Sequence, residues 1–334
     1  IWRKGHFAEA LTRGSSNEAG AIFMSHGSSD QLRALQGADD SSAWRLNQPV
    51  SPVMNLITRR SAAALLPLSL LAALGVAVSA PDASKTVAND NKEEGAALKA
   101  LLITGGCCHD YNQQKVIIPG GISQRAKVDW TIVHEGGTSR DHKVSIYSKE
   151  DWTSGYDVIV HNECFGGVKD DAFVEALAKA HETTPAVVLH CSMHSYRAAP
   201  EGADEWRRFL GVTSRNHGRH APIKMKNLKP GHPVMKGFPA EWTTPKGELY
   251  RIEKVWETAT PLVEGTSGPK ENHICVWVNE YGKKKSRVFG TTIGHHNETM
   301  LEPTYLDLVT RGLLWATGKL GDDGKPLPGY GVKN

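Results

Sequence analysis

Four short apolar segments, each followed by a polar loop that carries histidine, constrain the fold of this chain more than any other feature. The clearest is Ala186–Leu189, a β-branched run typical of a strand that is buried on both faces. It breaks within five positions into His190, Cys191, Ser192 and His194. The other three segments are Ala97–Thr104, 128–133 and Tyr156–Val160, and they run toward His109, His134 and His161.

A helical segment lies between the third and fourth of these strands. Lys169–His181 places Phe173, Val174, Leu177 and Ala180 at helical spacing, after acidic residues in the first turn. The alternation of strand and helix predicts an α/β fold, with a doubly wound parallel sheet and helices on both of its faces. In such open sheets ligands bind beyond the carboxyl ends of the strands, so the histidine-bearing loops predict a site along one sheet edge.

The second half of the sequence has a less regular pattern. We expect a short helix at Glu205–Leu210, a polar loop at Asn216–His220 and a closing amphipathic helix at Asp307–Ala316. The segments that predict strands here are Pro261–Glu264, His273–Val278 and Arg287–Thr291. The last of these strands runs into the adjacent pair His295 and His296, which brings two more histidines to the predicted edge.

Residues 54–80 have the layout of a secretory signal peptide. The pair Arg59-Arg60 precedes an apolar stretch that ends in Val78-Ser79-Ala80. The stretch contains Pro67 and is short for a membrane span, so we expect no stable membrane anchor. We expect an exported, periplasmic protein, secreted by the Sec or the twin-arginine route. The other expected regions are a disordered upstream extension over 1–53, a polar linker over 81–96, one folded domain over 97–320 and a frayed tail over 321–334.

The charge balance excludes one class of partner. The chain has 39 Lys and Arg against 36 Asp and Glu, and no long basic run or alternation of basic and aromatic residues. Nucleic acid is therefore not an expected partner. The 15 histidines favour metal ligation or proton transfer, and the nine tryptophans are of a type that stacks on sugar rings, but neither count is decisive by itself.

The histidine clusters predict a metal site assembled from separate loops. None has a fixed zinc spacing such as H-E-x-x-H, but a catalytic zinc needs only three protein ligands and an open position. The candidates are His109, His190, Glu248 and His295, and the alternative for each histidine is a hydrogen-bonded or surface role. We expect a divalent metal, zinc in the first place, and no nucleotide cofactor. His295 and His296 point in opposite directions on an extended segment, so only one of them faces the site.

The cysteines permit another interpretation of the same edge. Cys191 follows a strand end, where a nucleophile would be exposed, but no neighbouring glycine allows the sharp turn of a nucleophile elbow. Cys107 and Cys108 are adjacent and are not expected to bridge each other in ordinary geometry. Five cysteines is an odd number for an exported protein, which favours export in a folded state over a disulfide scaffold.

Several short motifs, taken in order, resemble the ThuA-like (trehalose utilisation) family. They are Gly105-Gly106 with His109-Asp110, the strand end Leu189-His190, His232-Pro233-Val234, Glu248-Leu249-Tyr250, Arg287-Val288-Phe289-Gly290 leading to Gly294-His295, and Arg311-Gly312-Leu313-Leu314-Trp315-Ala316. The resemblance covers roughly Leu98–Leu320, about two thirds of the chain. The chain departs from the family at Cys107-Cys108 and just after His190, where the family usually has small residues.

The resemblance implies a class I glutamine amidotransferase-like, flavodoxin-like fold without the Cys-His-Glu triad of the amidotransferases. It also implies a role in the catabolism of trehalose, sucrose and related glycosides, including sugars oxidised at C3, and a pocket of His and Glu compatible with a metal. A small carbohydrate is therefore the expected ligand, and a sugar dehydrogenase is an expected functional partner. The oligomeric state stays open.

These observations together predict a metal-assisted enzyme that acts on a disaccharide, a glycoside or its 3-keto derivative by hydrolysis or elimination. The expected metal ligands are His109, His190 and His295. The expected general acids or bases are Glu248, Asp110 and His194. The expected substrate-binding residues are His161, Asn162, Tyr250 and His296. Two alternatives are a non-catalytic carbohydrate-binding module and a hydrolase that depends on Cys191.

Overall fold

The computed structural model describes residues 96–268 and 271–332, and the predictions for 1–53, 54–80 and 81–95 lie outside the described residues. The strands are β1 (Leu98–Gly106), β2 (Val128–His134), β3 (Val158–Cys164), β4 (Ala186–Leu189), β5 (Val212–His220), β6 (Lys224–Asn227), β7 (Glu241–Thr243), β8 (Glu248–Val255), β9 (Ala259–Thr266), β10 (Asn272–Tyr281) and β11 (Ser286–Thr291). The helices are α1 (Tyr111–Ser123), α2 (Asp171–Ala180), α3 (Gly202–Leu210), α4 (Asn297–Met300) and α5 (Pro303–Ala316). Among the described helices, none is long and apolar enough to cross a membrane.

The strands predicted from apolar segments are neighbours in one mixed sheet. Its order is β2-β1-β3-β4-β11-β10-β9-β6-β7, while β5 and β8 pair with each other separately. The strands from β2 to β11 in this order are parallel to their neighbours, and the pairing is antiparallel from β11 onward. Because parallel strands end at the same edge, the segments that follow β1, β4 and β11 meet there.

Helices cover both faces of the sheet. Alternate residues of β1 show this arrangement, since successive side chains of a strand point to opposite faces. Leu98, Ala100 and Leu102 share a buried cluster with side chains of α1 and α5, whereas Leu101 and Ile103 share another with side chains of α2 and α3. The predicted α/β fold with a doubly wound sheet is thus confirmed, with the antiparallel strands as an extension of the parallel part.

The prediction of a polar loop at Asn216–His220 is wrong, because these residues form the second half of β5. In the register with β8, His217 lies opposite Tyr250 and His220 lies opposite Glu248. Most of this half of β5 is exposed, which explains why its sequence is polar. The β5–β8 pair brings an additional set of side chains to the predicted edge of the sheet.

The last described residues are ordered against the domain rather than frayed. Gly331 forms an isolated bridge with Ala126, and the carbonyl oxygen of Tyr330 accepts a hydrogen bond of 2.8 Å from the backbone N–H of Lys127. Tyr330 also packs against the buried cluster of α1 and α5. The glycines and prolines of 321–332 therefore shape a returning segment, which corrects the expectation of a frayed tail.

Candidate metal and substrate site

His190 is placed by a sharp turn at the end of β4. Its backbone φ is 40°, in the left-handed region that histidine enters more readily than most residues. Its Nδ1 donates a hydrogen bond to the carbonyl oxygen of Thr292, just after β11, so the neutral ring carries its lone pair on Nε2. The turn therefore forms without glycine, which corrects the expectation that a sharp turn beside Cys191 needs one.

Three side chains from other elements meet His190, and we call the four together the His/Glu cluster. His109 follows β1, His295 follows β11 and Glu248 begins β8. Nδ1 of His295 lies 3.0 Å from Nε2 of His109 and 3.3 Å from Nε2 of His190. Oε2 of Glu248 lies 3.4 Å from Nε2 of His190 and 3.3 Å from Nδ1 of His295. One ligand atom from each residue lies within 4.8 Å of the others, so the structure brings together the four candidates named from the sequence.

Burial sets the protonation of the cluster. Burial, with the neighbouring His190 and His295, lowers the pKa of His109 to about 2, and burial also lowers the pKa of His190. Burial alone would raise the pKa of Glu248, but the close contacts with His190 and His295 outweigh it and hold the pKa below its ordinary value. At neutral pH the rings of His109 and His190 are therefore neutral and lie beside a carboxylate, and neutral imidazole with carboxylate is a donor set that zinc prefers.

The β5–β8 pair supports Glu248 from its other side. Oε1 of Glu248 lies 3.0 Å from Nδ1 of His217 and 2.9 Å from Nε2 of His220. An irregular register between these two residues of β5 lets both reach the same carboxylate. The hydroxyl of Tyr250, two residues after Glu248, lies 3.3 Å from Nε2 of His190. Such outer partners orient metal ligands in proteins, and His217 and His220 were not predicted in this role because their sequence resembles a loop.

Three members of the cluster, His109, Glu248 and His295, line a pocket of about 240 Å³. The other residues that line it are Cys107, Cys108, Arg140, Cys164, Gly166, Gly167, Cys191, His194, Arg197, His217 and Tyr250. Sites for drug-sized ligands occupy roughly 300–1,000 Å³, so this pocket is smaller than a typical drug-sized site. Arg140 and Arg197 are functional candidates that were not predicted, because nothing in their local sequence places them beside the histidines.

His194 lies in the pocket in a defined tautomer. Its ring stacks on Tyr250 with centroids 4.0 Å apart and planes at 4°. The hydroxyl of Ser214 donates to the carbonyl oxygen of Asn216, so it accepts a hydrogen bond of 3.0 Å from Nε2 of His194. Burial, His190 and Arg197 lower the pKa of His194 to about 3. The ring is therefore neutral at neutral pH, with its lone pair on Nδ1.

His161 and Asn162 lie away from the pocket, contrary to the predicted substrate-binding role. β3 does not end at Val160 but continues through both residues, because β1 extends through Gly105 and Gly106 to pair with it. His161 contacts Oε1 of Glu163 at 2.8 Å and Nε2 of His181 at 3.0 Å. The side-chain amide of Asn162 donates to Thr104 and Gln114. Both side chains are buried and engaged in the interior, so the substrate-binding role is withdrawn for them.

Asp110 and His296 line a shallower depression beside the pocket rather than the pocket itself. Asp110 caps α1 by accepting a hydrogen bond from the backbone N–H of Gln113, and it also accepts one from the side chain of Asn297. The first contact is the ordinary role of Asp at a helix N-cap, and neither contact brings Asp110 into the pocket. The ring of His296 lies against His220 and His295, at the outer border of the His/Glu cluster.

Four cysteines occupy one wall of the pocket. Cys107 and Cys108 form a disulfide, so the prediction that these adjacent residues do not bridge is wrong. Cys108 has a φ of 87°, a turned backbone that the preceding two glycines of the loop also adopt. Cys191 is buried, and burial raises the pKa of its thiol. A buried thiol that resists ionisation is a poor nucleophile, which weighs against a Cys191-dependent hydrolase.

The family is decided by a comparison with family models. Residues 99–316 match the ThuA model, which is described as trehalose utilisation. The chain belongs to the ThuA family. This membership confirms the resemblance of the motifs and supports a carbohydrate-related function. Among curated proteins, none matches this chain.

Solved structures of ThuA-like proteins share the fold. A ThuA-like protein from Parabacteroides merdae is 20% identical in sequence and superimposes with a TM-score of 0.55. The match covers 71% of this chain and 98% of the Parabacteroides chain. Another from Bacteroides uniformis is 16% identical with a TM-score of 0.50, covering 66% of this chain and 92% of that chain. The ThuA domain of this chain thus has the class I glutamine amidotransferase-like fold that the motifs implied.

Proposed function

We propose that this ThuA-family protein is a metal-assisted enzyme that acts on a glycoside or on its 3-keto derivative. The observation that carries the proposal is the convergence of four ligand atoms within 4.8 Å beside a pocket of about 240 Å³. Family membership supports the substrate class. The chemistry at the cluster supports the requirement for a metal.

The donor set fits a divalent ion such as Zn²⁺. Nε2 of His190 carries a lone pair and faces the carboxylate oxygen Oε2 of Glu248 at 3.4 Å. Two acceptors that face each other need a proton or a cation between them. Nδ1 of His109 contacts the hydroxyl of Tyr111 at 3.3 Å, which leaves Nε2 for the cluster. Histidine ligands are normally oriented in this way, by a hydrogen bond at the remote nitrogen.

Glu248 has the contacts of a ligand rather than of a general base. Each carboxylate oxygen is within 3.4 Å of two histidine nitrogens, so no oxygen is left to take a proton from a substrate. His194 is the candidate base that remains, since it lines the pocket and its Nδ1 lone pair is not used by Ser214. This revises the catalytic role predicted for Glu248 and retains the one predicted for His194.

A metal bound by the cluster supplies Lewis-acid polarisation of a sugar carbonyl or hydroxyl oxygen. A keto group at C3 acidifies the proton on C2, and His194 is the residue positioned to accept that proton. The C1–O bond then breaks, the glycosidic oxygen leaves with its electron pair and takes up a proton, and the C1–C2 double bond forms. Such a reaction needs one base, not the pair of spaced carboxylates of ordinary glycosidases. Arg140 and Arg197 lie in the pocket wall as donors to the remaining sugar oxygens.

The contents of the pocket disfavour the two alternatives. A sugar-binding module that works by tryptophan stacking needs tryptophan in the pocket, and no tryptophan lines it among the described residues. A Cys191-dependent hydrolase needs an ionisable thiol, and burial raises the pKa of this one. Neither alternative explains why the four side chains of the His/Glu cluster converge.

The first experiment is the metal content of the full-length protein, purified after expression with added zinc, manganese and nickel, by elemental mass spectrometry. We expect near-stoichiometric metal in the wild type, and its loss in His190→Ala and Glu248→Gln. The matched control is His134→Gln, which removes a histidine at the end of β2 that pairs with Lys115 and does not line the pocket. A wild type without metal, or variants that retain it, would refute the metal site.

Turnover is then measured on glycosides and 3-keto-glycosides with and without chelator. Metal-dependent release of the aglycone supports the enzyme. Binding of sugar without metal and without turnover would support a carbohydrate-binding module. Loss of activity on thiol alkylation but not on chelation would support the cysteine hydrolase.

A further inference from the structure

The pocket wall contains a second set of reactive side chains that the proposed reaction does not use. Cys107 and Cys108 lie in the loop after β1, Cys164 ends β3 and Cys191 follows β4, and we call these four the cysteine cluster. Sγ of Cys164 lies 3.7 Å from Sγ of Cys107 and 2.7 Å from Sγ of Cys191. One disulfide and two thiols therefore share a single contact network, with Cys164 at its centre.

The surroundings of Cys164 favour its thiolate. Its contact with Cys191 lowers the pKa of Cys164, and the guanidinium groups of Arg197 and Arg140 lower it further, against the opposing effect of burial. The thiolate is the form that attacks a disulfide. Cys164 is thus an activated thiol next to a disulfide sulfur. Cys275, the remaining free cysteine of the described residues, lies outside this cluster.

We propose that the cysteine cluster carries out thiol–disulfide exchange, in which the disulfide moves between Cys107–Cys108 and Cys164–Cys191. The Cys164 thiolate attacks Sγ of Cys107, the Cys107–Cys164 bond forms, and the Cys108 sulfur leaves with the electron pair. The Cys108 thiolate formed in this step takes the proton of the Cys191 thiol, Cys191 attacks Sγ of Cys164, the Cys164–Cys191 bond forms, and the Cys107 sulfur leaves. Two thiols are oxidised and one disulfide is reduced, and the two protons end on Cys107 and Cys108. The exchange needs no external oxidant and no metal.

The difference in solvent exposure determines which cysteines react first with molecules in solution. Cys108 is exposed, whereas Cys107, Cys164 and Cys191 are buried. A soluble dithiol or disulfide therefore reaches the Cys107–Cys108 pair first, and the internal exchange passes the oxidation state on to the interior pair. Since Cys108 precedes His109 and Cys191 follows His190, the exchange changes the oxidation state of a cysteine next to each of two members of the His/Glu cluster.

Disulfide mapping of the full-length protein tests this proposal. Trypsin separates the relevant cysteines into peptides 100–115, 150–169 and 180–197. Fully reduced protein is given one equivalent of diamide, equilibrated, trapped with N-ethylmaleimide at low pH and digested. We expect a disulfide-linked pair of 150–169 with 180–197, matched one for one by doubly alkylated 100–115. The fraction of protein that carries this linked pair should be the same when the as-purified protein, which has one disulfide, is equilibrated without oxidant.

Cysteine variants test the order in which the sulfur atoms react. Cys164→Ser should lose the linked pair completely, and Cys275→Ser, the matched control, should retain it. In Cys108→Ser/Cys191→Ser only Cys107 and Cys164 remain in the cluster, and diamide should link 100–115 to 150–169. The proposal is overturned if the wild type shows only intact Cys107–Cys108, with 150–169 and 180–197 fully alkylated. That mapping does not depend on whether any variant folds.

Discussion

Zinc should stabilise the folded chain through the His/Glu cluster, and the size of the effect can be worked out. A ligand at 100 times its Kd stabilises the native state by about 2.7 kcal/mol. For a domain of about 150–250 residues, 1 kcal/mol corresponds to about 2–4 °C in Tm. The wild type should therefore gain about 5–11 °C in Tm when zinc is raised from zero to 100 Kd.

His295→Ala is the most informative perturbation of this shift. Nδ1 of His295 lies within 3.3 Å of nitrogen atoms of His109 and His190 and of an oxygen of Glu248, so its loss removes the donor that joins the other three. Loss of outer partners alone costs about 10–100-fold in metal affinity, so we expect at least about a 100-fold loss here. At the same zinc concentration the stabilisation falls to about 0.4 kcal/mol, which is about 1–2 °C.

The assay is differential scanning fluorimetry of chelator-stripped full-length protein against a zinc titration, with His134→Gln as the control for histidines outside the cluster. The control should shift as the wild type does. Equal shifts in wild type and His295→Ala would refute the reasoning, because the zinc would then bind elsewhere. An absent shift in the wild type at saturating zinc would refute it too.

Three further outcomes are expected. His194→Gln should lower kcat by about 10²–10⁴-fold with unchanged metal content, since general-base catalysis contributes that much; a parallel loss of metal would contradict a base role. His181 is buried, and burial lowers its pKa well below 6.5, so the unfolded state takes up a proton that the folded state does not. The free energy of unfolding should therefore fall as pH drops below about 6.5, by up to about 1.4 kcal/mol per pH unit, and urea titrations of His181→Gln between pH 7 and 5 should show a shallower slope. Gly312→Ala would place a Cβ against the ring of Phe289 and should destabilise by about 1–3 kcal/mol in urea, although alanine favours a helix; a more stable variant would rule out the clash.

The central strands were predictable because each is a short, mainly apolar run that leads into a polar loop. β4 has the predicted bounds, Ala186–Leu189, since both of its faces are covered and only apolar residues are tolerated there. Helix α1 was not anticipated, because Pro119 and the two glycines after it resemble a turn. The structure shows them in the last turns of the helix, where Gly121 lies close to Leu306 of α5 and leaves no room for a side chain.

The candidate site was predictable as far as sheet topology determines it. Parallel strands end at one edge, so His109, His190 and His295 follow from the order of strands alone. The support of Glu248 by His217 and His220 depends on how β5 folds over that edge and on an irregular register, and neither is encoded in a local pattern. Their neighbour in the pocket, Arg197, depends likewise on packing between distant segments.

The long loop closures at the cluster have a consequence for folding. The contact between His109 and His295 joins positions 186 residues apart, and the contact of His190 with His295 spans 105. Contacts of such separation form late, after the entropy of closing the chain has been overcome by other contacts. A chain emerging from the ribosome therefore has no His/Glu cluster until β11 has been made and docked beside β4. The cluster therefore assembles only after synthesis has passed β11, and a bound ion would hold together the segments that follow β1 and β11 only from that point on.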